Sequence, residues 1–260
     1  MINPHTSVGV AQVVFYALIL PIAVFVLIRN WKHGLRLASY PLVTFSLARL
    51  AGGILTILRQ SDPTSIGLII ATTVLLNVDL IPLMISMVGF IRLIMKSSLD
   101  ENKRAFFLIK IIRIAFIAAV VLLCVAGAFS GTNNIHLSRH LTQAGYVTLA
   151  AVIGLMTVEL LHLYTQNRRI APERHIFIQL TLVSIPTLVL RTVYGLLCAF
   201  TVDNVTTIWN SLVGSAAAFA LMCLLAEYIT LLIFLYLGIR HWRGVRAETL
   251  GSVEIESLSK

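Results

Sequence analysis

Five ionisable residues stand deep inside long apolar runs: Arg49, Asp79, Glu159, Arg191 and Glu227. An ionised side chain at the centre of a bilayer costs about 3 kcal/mol on insertion scales, so each needs a partner, a cavity or a proton. Two arginines face three carboxylates, so one-to-one pairing leaves one acid over. An acid without a cationic partner in a low-dielectric site keeps its proton at neutral pH and can give it to a bound substrate. Asp79 and Glu227 are the candidates for that catalytic role, because Glu159 has His162 three residues on. The competing expectation is that the charges form ion pairs which only lock a bundle together.

The neighbours of these charges extend the chemistry. Asp79 lies in Val74-Leu-Leu-Asn-Val-Asp-Leu-Ile-Pro-Leu-Met84, with Asn77 and Pro82 close by. Arg49 shares a helical face with Leu42, Phe45, Ser46, Gly52 and Thr56, where small residues permit close helix approach. Arg191 shares a face with Thr187 and Tyr194, one turn apart, behind Pro186. Glu227 follows the small-residue segment Gly214-Ser-Ala-Ala-Ala218, and Asn210 stands further upstream. Asn77, Arg49, Arg191, Tyr194 and Asn210 are therefore the expected substrate-orienting residues. Glu159 and His162 have the Glu-x-x-His spacing of di-iron bundles, but such a site takes two of these pairs and further carboxylates. Neither a metal nor a cofactor is expected. Cys124, Cys198 and Cys223 fall inside apolar runs without CxxC spacing and read as packing residues.

The elements that must position these side chains are membrane spans. Charged residues make up 12% of the 260 residues and apolar residues 58%, with a mean hydropathy of +0.92, against roughly 25% and 45–50% in soluble domains. Seven apolar runs are long enough to cross a bilayer: Val8–Ile28, Ala38–Leu58, Ser65–Ile94, Phe106–Phe129, Ala144–Tyr164, Ile176–Phe200 and Thr207–Ile239. The fold class is all-α, one seven-helix transmembrane domain over residues 1–240 with a flexible tail over 241–260. The formal charge of +9 is dispersed in short groups between the runs, which excludes a nucleic-acid stripe. The first, third and fifth connections and the tail carry most of the arginines and lysines. The positive-inside rule then places the N-terminus outside or luminal and the C-terminus in the cytosol. The sequon Asn204-Val-Thr206 falls in a connection that this topology makes luminal, a weak glycosylation signal.

Several segments resemble a known family. Ser65-Ile-Gly-Leu with Ile81-Pro-Leu and Gly89, the segment Ile185-Pro-Thr-Leu-Val-Leu-Arg191-Thr-Val-Tyr194, and Ala226-Glu-Tyr228 resemble fungal seven-helix membrane proteins known only as a domain of unknown function. Pro186, Arg191, Tyr194 and Glu227 match that pattern, whereas Asp79 stands where the family tends to have a small residue. The resemblance implies a fungal source and the same fold. In architecture and buried acids the chain is also similar to fungal membrane terpene cyclases and to membrane epoxide hydrolases of polyketide pathways, which implies epoxide opening by intramembrane acids.

The expected function is thus a membrane-embedded acid–base enzyme that opens an epoxide, or acts on a similar polar group, in fungal secondary metabolism. Its partners are the lipid bilayer and a hydrophobic small-molecule substrate, and its expected location is the endoplasmic reticulum or another endomembrane. The alternatives are a non-enzymatic receptor or transport protein, and a scaffold whose charges only hold the bundle. The third span ends in Gly89-Phe-Ile-Arg92, unlike the acidic–Arg–aromatic group expected of the common receptor family. No internal repeat and no paired broken helices are expected of the kind transporters use.

Overall fold

In a computed structural model the chain is described over residues 4–31, 34–62, 65–98, 103–129, 135–165, 172–201, 208–209 and 214–258. All of its regular structure in these residues is helical. The helices are α1 (Pro4–Asn30), α2 (Arg36–Ser61), α3 (Ile66–Val78), α4 (Leu80–Ser98), α5 (Lys103–Phe129), α6 (Ile135–Thr165) and α7 (Pro172–Phe200). The last span comprises α8 (Ala216–Ala218), a π-helical segment (Phe219–Leu225) and α9 (Ala226–Leu258). Among the described residues seven helical spans are long and apolar enough to cross a membrane. The chain is a multi-pass membrane protein, and large apolar side chains such as Leu18 and Val158 lie on its outer surface for the lipid.

Three features depart from the expected spans. The third span comprises α3 and α4 joined through Asp79, whose backbone stays helical (φ −61°, ψ −31°) and whose N–H donates to the Leu75 carbonyl at 3.1 Å. Pro82 explains the local irregularity: it has no N–H for the carbonyl four residues earlier. The last span begins at Ala216 instead of Thr207, after Ser215, whose side chain accepts from the Ala218 N–H; a serine oxygen serves an otherwise unpaired helix-start donor in this way. Its next two turns are π-helical. Finally, α9 runs on to Leu258 with no proline after Pro186 to end it, so residues expected as a flexible tail are helical.

Packing brings the polar faces inward. Helix α1 lies along α2, α2 along α4, α5 along α6, α6 along α7, and α7 along α9. The face of α2 that holds Arg49, with Leu42, Phe45, Ser46 and Gly52, is buried. Two glycines set critical separations. A Cβ on Gly89 would lie 2.6 Å from the Ala38 nitrogen, so only glycine lets α4 approach the start of α2 this closely. A Cβ on Gly195 would lie 2.1 Å from Tyr146 Cε1, so glycine makes room for that ring against α7, one turn beyond Arg191. At the opposite end of the bundle from Ser215, buried Asn30 donates to the carbonyls of Val26 and Gly238 and ties α1 to α9.

Candidate functional site

Four of the five buried charges converge. Arg191 on α7 donates from Nε to Glu227 Oε1 at 2.5 Å and from Nη2 to Asp79 Oδ1 at 2.8 Å. Arg49 on α2 places Nη2 2.6 Å from Asp79 Oδ2 and in contact with both oxygens of Glu227. Arg49, Asp79, Arg191 and Glu227 thus close a ring in which each cation meets both anions, and each of the four is no more than 2% exposed. Charges this deep are stable only when mutually compensated and hydrogen-bonded.

Both carboxylates lie beside local features of the backbone. Asp79 joins α3 to α4, and Arg191 Nη2 donates to the Leu76 carbonyl one turn earlier at 3.0 Å. Glu227 is the second residue of the regular helix after the π-helical segment, in which Cys223 lies. The Cys223 thiol sits between partners, 3.1 Å from Arg49 Nη2 and 3.5 Å from Glu227 Oε1. π-Helical turns are rare and are frequently found at functional sites.

Around the ring the hydrogen bonding divides. Gln12 of α1 donates to the Arg49 carbonyl at 2.7 Å, and Thr187 bonds Thr230 at 2.7 Å, joining α7 to α9. The Tyr146 hydroxyl donates to Asn77 Oδ1 at 3.3 Å. In contrast, Arg49 Nε and the hydroxyls of Tyr16 and Tyr194 are buried without a hydrogen-bond partner among the described residues. Tyr194 packs with Phe219, Cys223 and Leu224, so its ring lies against the π-helical turns.

Of the residues expected to form a site, Arg49, Asp79, Arg191 and Glu227 come together directly. Tyr194 lies one turn from Arg191, and half-buried Asn77 stands behind the ring against Tyr146. Asn210 and the sequon residue Asn204 lie outside the described residues. One expectation is corrected: neither Asp79 nor Glu227 is an acid without a cationic partner. Guanidinium groups carry several N–H donors and bridge two carboxylates at once, so counting one-to-one pairs misjudges the arrangement. The acid outside the ring is half-buried Glu159 on α6. No group of three or more His, Cys, Asp or Glu positioned for a metal occurs among the described residues.

Sequence reasoning overlooked Gln12, Tyr16 and Tyr146, and read Cys223 as a packing residue only. The signal for the first two was present: Gln12 and Tyr16 lie four residues apart on one face of an otherwise apolar span, with Thr6 and Gly9 on the same buried side.

No curated protein matches the chain. A family model, Domain of unknown function (DUF7702), matches residues 2–243, which take in every helix of the ring, and the chain belongs to that family.

Proposed function

We propose that the ring is the working centre of a membrane-embedded acid–base enzyme acting on a polar group of a hydrophobic small molecule, with epoxide opening the favoured reaction. One observation carries this reading: Asp79 and Glu227, from different spans, share the same two buried guanidiniums, so two acids able to exchange a proton are held in one cluster. In the reaction, one carboxylate in its acid form protonates the epoxide oxygen while the other takes a proton from the attacking nucleophile. Arg49 and Arg191 hold the charge that moves between them. General acid–base action of this kind contributes typically about 10²–10⁴-fold, and the remainder comes from positioning in a dry site. Turnover by protein reconstituted with a panel of lipophilic epoxides tests the proposal. Asp79→Asn and Glu227→Gln are each expected to lower it at least about a hundredfold, and full turnover by both variants sinks it.

The basic connections favour a cytosolic C-terminus and a luminal N-terminus, the segments around Pro186, Arg191 and Glu227 favour a fungal source, and the likeness in architecture and buried acids to fungal membrane cyclases and epoxide hydrolases favours an endomembrane protein of secondary metabolism. A second reading is transport, because Pro82 leaves the carbonyl four residues earlier without its intrahelical donor, and a freed mid-span carbonyl can line a substrate path. Flux of a solute into vesicles without chemical conversion distinguishes the two.

A further inference from the structure

The two arginines leave different atoms over, and that difference points to a ligand. Arg191 uses Nε and Nη2 on the carboxylates and on the Leu76 carbonyl. All of the hydrogen bonds that Arg49 makes to side chains run through Nη2, and its Nε has no hydrogen-bond partner. The Tyr16 hydroxyl is likewise unpartnered, and the whole residue is 0% exposed.

Both groups belong to the contact between α1 and α2. Helices α1 and α2 run antiparallel, with Gln12 bonded to the Arg49 carbonyl and the Tyr16 ring 5.7 Å from that of Phe45. Side chains on a helix lean toward its N-terminus, so Tyr16 leans toward the level of Arg49 while Arg49 leans toward the level of Tyr16. The hydroxyl lies within electrostatic reach of Glu227, Arg49 and Asp79, and Tyr228 closes the far side with its ring 5.3 Å from that of Tyr16.

Both groups offer a proton to a hydrogen bond, and a buried donor left unsatisfied carries its full desolvation cost. Ring charges also select the ligand. An uncharged ligand adds no further charge to a site buried in hydrocarbon. A neutral oxygen meets both conditions.

We infer that Arg49 Nε and the Tyr16 hydroxyl form a two-donor subsite for an uncharged oxygen acceptor, such as a ketone, ether or epoxide oxygen, on an otherwise apolar molecule. The inference deepens the proposed function and rests on its reading of the ring as a working site. Tyr16 is a binding residue in this scheme, and its aromatic contacts with Phe15, Phe45 and Tyr228 hold it in place without the hydroxyl.

The test uses the full chain in lipid nanodiscs with 2-dodecanone carrying carbon-13 at the carbonyl, read by infrared difference spectroscopy. Wild-type protein is expected to give a second, lower-frequency carbonyl band beside that of the lipid-dissolved ketone, saturating at one ketone per chain. Tyr16→Phe is expected to lose that band while its thermal unfolding midpoint stays within a degree of wild type. Absence of the band in wild type overturns the subsite, as does a band unchanged in Tyr16→Phe. A large fall in the midpoint of Tyr16→Phe would show that the hydroxyl has a partner within the protein and overturns it equally. A ketone contains no epoxide to open, so the band persists if the reaction assigned to Asp79 and Glu227 fails, and the two failures are told apart.

Discussion

Arg49 and Arg191 carry the same charge, the same burial and the same two anions, yet they are held differently. Arg191 is spread over two carboxylates and a main-chain carbonyl through two of its nitrogens, a forked geometry only guanidinium can supply. Arg49 converges through one nitrogen on Asp79, Glu227 and Cys223. The first arrangement fixes helices α3, α7 and α9 to one another. The second compensates charge while leaving one edge of the guanidinium unused. The comparison separates a clamp from a working arm within one ring.

The largest expected effect breaks the clamp. Arg191→Gln leaves Asp79 and Glu227 with one cation between them and removes the donor to the Leu76 carbonyl, and it is expected to destabilise the fold by about 3–5 kcal/mol in reversible unfolding from mixed micelles. Lysine substitutions sharpen the contrast. An ammonium ion replaces a single-point contact well and a fork poorly, so Arg191→Lys is expected to cost about 1–2 kcal/mol more than Arg49→Lys in the same measurement. Equal losses would show that the two arginines are held alike. The smallest effect concerns the support of the clamp. Thr187 lies one turn before Arg191 and bonds Thr230 across the α7–α9 contact, and Thr187→Val is expected to cost about 0.6 kcal/mol, the usual worth of such a bond inside a membrane.

The membrane spans were legible because twenty apolar residues in a row have one physical use, and the buried charges were legible as exceptions to that rule. Their arrangement was not. Asp79 and Glu227 stood out in the sequence as the deeper acids, but that each reaches both arginines depends on helix rotation and crossing, set by contacts such as Gly89 on Ala38 and Gly195 on Tyr146. The irregularity between α3 and α4 was half visible: Pro82 announced it, but a proline in a span can kink it, end it or, as Pro186 does within α7, leave it continuous. Span α1 received no attention because a lone glutamine and a tyrosine in an apolar run resemble ordinary composition, and only the antiparallel pairing of α1 with α2 sets them beside Arg49. The π-helical turns had no sequence signal of their own, since Phe219–Leu225 is an apolar run that suits an α-helix equally well.

The order of the ring along the chain has a consequence for how the protein is made. Charges alternate as Arg49, Asp79, Arg191, Glu227, and each cation is followed by its counter-ion in the very next span. A span that carried a bare charge into the bilayer alone would meet the full insertion penalty, about 3 kcal/mol. Helices entering as hairpins, the second with the third and the sixth with the seventh, each arrive electrically neutral. Biogenesis then joins two finished dipoles, and the ring closes when the second hairpin exchanges half of its partners with the first.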